Sequence, residues 1–328
     1  MNINDISKYR THLMGVATLL VIFGHSAENG VVMPMWMESL CGLASVGVDI
    51  FLLVSGLGLW YSLRNVQTSN SAGALCWYKR RYKRILVPYL IILGISNILA
   101  ISRGRSIVTA ILNISTINYW TNHQGAWYIA MLIPLYALTP LHDKICKKVK
   151  NPVMFTLVLV SLIIGVSLLQ FDTTNVNISN FIENVRHVIV HLPAFFIGFM
   201  MAPMAKDRRK VSWLWLYVLP ILIVLIMKLT GIGYWPVFLF LPVTGILCLS
   251  FHYVGRGIMS ITEFFGKISL ESYLFNGAVG PCIIAYLPWV YYSSWNKGCY
   301  LHYALVCVIG TLLAYMVHQF CKKVFFKS

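Results

Sequence analysis

Apolar runs about as long as the ~20 residues needed to cross ~30 Å of hydrocarbon recur from end to end of this chain, separated by short polar stretches. They predict ten membrane-spanning helices, at 12–32, 40–63, 85–101, 125–142, 152–169, 186–204, 211–229, 233–251, 269–288 and 299–321. No gap between them has room for a soluble domain, so residues 1–328 read as one all-α, polytopic integral-membrane domain. The longest polar gap, RGRSIVTAILNISTINYWTNHQG between the third and fourth runs, still carries Ile107, Val108, Ile111, Leu112 and Ile114, with aromatics at its end. It predicts an interfacial helix on the outer face. The Asn- and Thr-rich FDTTNVNISN after the fifth run reads as an exposed outer loop. The first run has the basic start of a signal peptide, but His25 falls where a cut at Ala27 would need a small residue. That run is therefore expected to stay as an uncleaved first span.

Composition agrees: 58% of the 328 residues are hydrophobic, 14% aromatic and only 11% charged, too little polar surface for a soluble globule. A formal net charge of +16 raises nucleic acid as a partner, and the placement of the cations removes it. With the N-terminus inside, 21 of the 26 Lys and Arg residues fall in cytoplasmic segments. Arg103, Arg105, Arg186, Lys228 and Lys297 lie on or at the edge of the other side. The asymmetry predicts both termini in the cytoplasm. The eight cysteines are scattered, without CxxC or metal-ligand spacing, and read as small packing residues; no metal site is expected.

The chemistry sits inside the apolar runs. From Leu13 to Phe23 the first helix carries no charge, and a rise of ~1.5 Å per residue puts His25 roughly 20 Å from the basic flank at Arg10, past the middle of the bilayer. An ionisable group there marks a functional site unless it only bonds across a helix pair. In the second helix Asp49 reaches a similar depth, and a carboxylate beside an imidazole would orient the ring as a general base requires; the bland alternative is an Asp that caps a glycine-broken helix. WYKRRYKRILVPYL places Arg80, Arg81, Lys83 and Arg84 just before the third helix, either as a topology signal or lipid anchor or to capture a polyphosphate through bidentate guanidinium contacts. Trp127 and Tyr128 stand at the outer mouth of the fourth helix with Tyr136 within, as an aromatic belt or as a stacking surface for a sugar ring. His187 and His191, at i and i+4, lie near the outer surface and lack the further ligands a metal would need. Glu271 and Asn276 open the ninth run, where Glu271 also suits the positive end of a helix dipole.

Together these segments resemble the integral-membrane acyltransferase-3 family, which O-acylates extracytoplasmic glycans with cytoplasmic acyl-CoA. The likeness rests on MGVATLLVIFGHS, GVDIFLLVSG, YKRRYKRILVPYL, AWYIAMLIPLYALTPL, HLPAFFIGF and GKISLESYL, six motifs in order. It implies that His25 is catalytic and that Arg80, Arg81 and Arg84 hold the acyl donor. Two departures matter. Where the family commonly has Arg directly before the first-helix Gly, Met14 precedes Gly15, and Arg10 on the same face is the candidate to take its place. Where many members end the ninth-helix motif in His, this chain has Asn276, so that position is not assigned proton chemistry.

The expected function is therefore acetyl or other short-acyl transfer from acetyl-CoA or a similar co-substrate to a hydroxyl of an extracytoplasmic glycan or lipid-linked sugar. His25 and Asp49 would be catalytic, Arg80, Arg81, Arg84 and Arg10 would bind acyl-CoA, and Trp127, Tyr128, Tyr136, Glu271 and Asn276 would meet the acceptor. No permanently bound cofactor is expected. An acyl-enzyme on Ser55 or Ser26 has no support from spacing. The setting is a bacterial cytoplasmic membrane, with membrane lipids as partners and a homo-oligomer left open. Since the chain ends soon after its last span, transfer is expected to finish in the membrane domain or with a partner. The competing class is a transporter or lipid-linked-glycan flippase, which an inverted repeat would favour; none is visible.

Overall fold

The computed structural model describes residues 2–66, 71–169, 175–231, 235–292 and 298–326. Among these it is all helix, with one isolated antiparallel bridge between Asn2 and Lys210. In chain order the helices are α1 (Asn4–Lys8), α2 (Arg10–Glu28), α3 (Met35–Leu43), α4 (Val46–Arg64), α5 (Ser71–Ile101), α6 (Ile107–Ile114), α7 (Ile117–Asn122), α8 (Trp127–Lys148) and α9 (Pro152–Ser167). After them come α10 (Val176–Ile189), α11 (Leu192–Lys206), a π turn Leu214–Val218 running into α12 (Leu219–Leu229), and a 3-10 turn Trp235–Leu239 running into α13 (Phe240–Ser250). The chain closes with α14 (Arg256–Lys267), α15 (Ser269–Tyr286), α16 (Pro288–Tyr292) and α17 (Tyr300–Val324).

Among the described residues, four stretches are long and apolar enough to cross a membrane: Met35–Arg64, Gly73–Ile101, Val176–Lys206 and Tyr300–Val324. The pair α14 and α15, bent by 73°, makes a fifth if counted as one broken span. Several expected runs are thus divided or extended. The second breaks at Ala44–Ser45 into α3 and α4, and the sixth into α10 and α11 ahead of Pro193. The third begins at Ser71, so the basic WYKRRYKR stretch lies on the helix itself rather than before it. The exposed loop expected over 171–180 is helical from Val176, because the Asn175 side chain accepts from the amides of Asn177 and Ile178 and caps α10; 171–174, like 233–234 at the start of the eighth run, lie outside the described residues. The interfacial segment is helical as expected, but as two short pieces, α6 and α7.

Glycine sets how closely the central helices approach. The most extensive pairing joins α4 to α11, where a Cβ at Gly56 would lie 2.1 Å from the Phe195 carbonyl oxygen and one at Gly198 would lie 2.0 Å from that of Leu53. The next joins α2 to α14, with Gly15 against Thr262 and Gly266 against Thr11 in the same reciprocal way. Small residues that let backbones touch are what helix association in lipid selects, since burying leucine gains nothing against acyl chains.

Contacts between connecting segments sort into two ends. At one, the Ile3 amide donates to the Arg209 carbonyl (3.1 Å), Tyr9 meets His252 (3.3 Å), and Arg64 pairs with Asp143 (2.6 Å). At the other, the Val32 amide donates to Gly298 (3.1 Å), His123 meets Asn184 (2.5 Å), and Arg186 donates to the Ser167 carbonyl (2.7 Å). The first set joins segments expected on the basic side, the second segments expected on the opposite side.

Candidate functional site

His25 lies three residues before the end of α2, and its Nδ1 is 2.5 Å from the Oδ1 of buried Asn276 on α15. With the amide oxygen accepting, Nδ1 carries the ring proton and Nε2 keeps its lone pair. Tyr303 of α17 closes the other side: its hydroxyl donates to the Ile22 carbonyl one turn before His25, and it also reaches Asn276. Glu28, one turn after His25, exerts its charge on the hydroxyls of Tyr273 and Tyr303. Three helices therefore converge on one imidazole.

The expected His25–Asp49 pair does not form. Asp49 is fully buried, and its Oδ1 is 2.7 Å from Nδ1 of His191, at the start of α11. The reason is azimuth rather than depth. At about 100° per residue, Leu53 and Gly56, which touch α11, lie within about 40° of Asp49 around α4, whereas Gly47, which packs on Ala17 of α2, lies about 160° away. Asp49 therefore points at α11, and Asn276 takes the orienting place beside His25. The Asn276 side chain, expected at the acceptor, is thus bonded to the imidazole.

His191 begins a file of imidazoles toward the end opposite the arginine-rich segments. Its ring is 5.4 Å from that of His187, which is 5.6 Å from that of exposed His123. Trp127 packs against both His187 (4.6 Å) and His191 (5.2 Å), so the structure places it in this cluster. Tyr119 and Asn184 bond the rings of His187 (3.1 Å) and His123 (2.5 Å). No group of three or more His, Cys, Asp or Glu side chains among the described residues could hold a metal ion.

At the basic end, Arg81 of α5 donates through Nε to the Ser62 hydroxyl (2.9 Å), which also accepts from Trp77 (2.8 Å). The α5 backbone is held to α8 by Tyr78 and Tyr82, whose hydroxyls donate to the carbonyls of Ala137 and Ile133 (2.8 Å each). Arg10, from a different helix, lies close enough to repel both Arg81 and Arg84, and its guanidinium comes to 3.5 Å from where a Cβ on Gly58 would stand. Arg80 adds its charge from the exposed side of α5. Inward of this cluster, Tyr136 faces Arg81 and Arg84 and interacts with Ser55, which also interacts with Tyr128; Tyr128 in turn meets Tyr273, whose hydroxyl accepts from the Tyr128 amide (3.3 Å). A series of polar groups thus runs from the arginines to Tyr273 of α15, the helix that also carries Asn276.

Glu271 sits elsewhere: its Oε1 is 3.1 Å from His318 of α17, and five residues put it about 140° around α15 from Asn276. The sequence does not single out Tyr273, Tyr303 or Glu28, and it gives no sign that His191 pairs with Asp49. Tyr273 carried a usable signal, because it precedes Asn276 by three residues and so shares its side of the helix. Tyr303 and His191 reach the site through tertiary packing, which no local spacing encodes.

A family model described as an acyltransferase domain matches residues 12–319. That range contains every residue of the site except Arg10, which lies just before it. No curated protein and no solved structure matches the chain.

Proposed function

Because the chain belongs to the acyltransferase-3 family, we propose that this membrane acyltransferase moves an acetyl or other short acyl group from cytoplasmic acyl-CoA to a hydroxyl of an extracytoplasmic or lipid-linked carbohydrate. The observation that carries the reading is the His25–Asn276 pair, an imidazole held by one nitrogen with the other available as a base, connected by polar residues to a cluster of arginines contributed by two helices. Arg10, Arg81 and Arg84, with Arg80 beside them, bind the phosphates of CoA, and the pantetheine arm extends past Tyr136, Ser55 and Tyr128 toward His25.

The chemistry then needs one base. Nε2 of His25 takes the proton of the acceptor hydroxyl as its oxygen attacks the thioester carbonyl, the C–S bond breaks, and the imidazolium returns the proton to the departing thiolate. Tyr273, one turn before Asn276, is our candidate donor to the tetrahedral oxyanion. Ten passes through a bacterial cytoplasmic membrane, with both termini inside, fit this path. The positive-inside distribution and the contacts among segments of the basic end support that arrangement.

The test is acyl transfer by the purified full chain in proteoliposomes supplied with acetyl-CoA and a glycan acceptor. Thioester-dependent ester formation is the expected result. Glycan translocation that proceeds without thioester, with no ester formed, would make the protein a flippase instead.

A further inference from the structure

Between α5 and α15, at the end opposite the CoA-binding arginines, lies a cleft of about 280 Å³ that the acyl-transfer path does not use. Leu99 of α5 and Pro281 and Ala285 of α15 give it an apolar wall, and Arg103 and Arg105 stand at its rim. The Arg103 guanidinium lies 3.9 Å over the ring of Tyr286, whose hydroxyl donates to the Leu99 carbonyl (3.3 Å), so that ring and cation are held in register with the cleft. Neither arginine has a salt-bridge partner among the described residues, although Arg186, also of this end, is paired with Glu183. Two of the five cations outside the basic set therefore converge, unneutralised, on one apolar groove between membrane helices.

That combination selects its ligand. A soluble anion gains nothing from the apolar wall, and a neutral lipid gains nothing from two guanidinium groups. A lipid that ends in a diphosphate uses both: the arginines at the rim meet its two charged groups, and its hydrocarbon follows the groove between α5 and α15 into the bilayer. We infer that this cleft is a docking site for the diphosphate of a polyprenyl-type lipid carrier at the outer membrane interface. The reading of the carried sugar as the acyl acceptor rests on the acyl-transfer proposal above; the site itself does not.

The placement also constrains the acceptor. Tyr286 lies ten residues beyond Asn276, about 15 Å farther along α15, and Ala285, nine residues on, is half a turn away around that helix. A glycan anchored at Arg103 must pass over the outer end of α15 to reach His25. The acylated hydroxyl then belongs to a sugar remote from the diphosphate, not to the first unit.

The test is equilibrium binding of labelled farnesyl diphosphate to the full chain in phosphatidylcholine nanodiscs, with acetyl-CoA binding as the control for folding. R103Q and R105Q should each weaken binding roughly fivefold, and the double variant roughly 25-fold, following the ~1 kcal/mol that one cation near a membrane surface contributes toward an anionic lipid. R103K and R105K should retain most of the affinity, and farnesol should not compete. Unchanged binding in R103Q/R105Q would overturn the inference. So would inorganic diphosphate competing as well as the labelled probe, which would make this a soluble-anion site, or phosphatidylglycerol competing equally, which would make it a general anionic-lipid contact. Farnesyl diphosphate binding in a protein that transfers no acyl group would leave this site standing and sink the acyl-transfer reading alone.

Discussion

Replacing Asn276 by Ala removes the acceptor opposite the His25 ring nitrogen, along with the contact to Tyr303, and the size of the effect on catalysis follows from the first of these. The bond joins His25 Nδ1 to Oδ1 of a buried amide at 2.5 Å. A neutral hydrogen bond of this kind contributes about 0.5–1.5 kcal/mol net. If its whole value lies in holding the ring so that Nε2 faces the acceptor hydroxyl, kcat for acyl transfer should fall roughly 2- to 13-fold, while KM for acetyl-CoA stays unchanged. Asn276→Asp keeps an acceptor opposite Nδ1 and should recover most of the rate, with an altered pH profile because a charged orienting group replaces a neutral one. Asn276→Leu, of similar volume and without the acceptor, should behave like Ala, which separates loss of orientation from loss of packing. The assay is steady-state transfer in proteoliposomes with both substrates varied. Wild-type kcat in a folded Asn276→Ala protein would refute the orienting role, and a loss as complete as that expected for His25→Ala would show that Asn276 does more than hold the ring.

Other consequences can be checked in parallel. Asp49→Ala leaves buried His191 without its partner and should lower stability by about 1–3 kcal/mol, read as a fall in Tm in detergent, while turnover per folded molecule is little changed; the pair Asp49→Leu with His191→Leu should regain much of that stability. Changing Arg81 and Arg84 to Gln should weaken acetyl-CoA binding by about 1.5–3 kcal/mol per charge-assisted contact and leave dephosphorylated pantetheine analogues nearly unaffected in a calorimetric titration; equal losses for both ligands would assign the cluster to the fold. In a chain freed of native cysteines, Asn175→Cys should react with an impermeant thiol reagent added outside intact cells and Arg208→Cys should not, the reverse pattern overturning the sidedness.

The sequence carried depth well and direction poorly. The uncharged run before His25 and the glycine-interrupted run around Asp49 placed both groups at similar levels, because a helix's rise per residue is constant. Which way Asp49 faces depends on the neighbours of α4, and the clue was the seven-residue spacing from Asp49 to Gly56: a glycine that close in azimuth marks the side where another backbone approaches, and that backbone is α11. The basic cluster was legible because charge is conspicuous in an apolar chain; that Arg10 of α2 stands near Arg81 and Arg84 follows from packing between helices, which periodicity along α2 does not encode. The break at Ala44–Ser45 is marked in the sequence only by Gly42 and Gly47, and that between α10 and α11 only by Pro193; the exact places are hidden because apolar composition continues across both. Tyr303 escaped notice for a similar reason: one tyrosine among eighteen acquires meaning only when α17 packs beside α15.

The account depends most directly on His25, and the decisive measurement is single-turnover acyl transfer by His25→Ala protein alongside its equilibrium binding of acetyl-CoA. A general base acts in the transition state and leaves donor affinity alone, so transfer should be abolished while acetyl-CoA binds as tightly as to the parent. Near-normal transfer by a folded His25→Ala protein would contradict the assignment of His25 as the base and remove the mechanism built on α2.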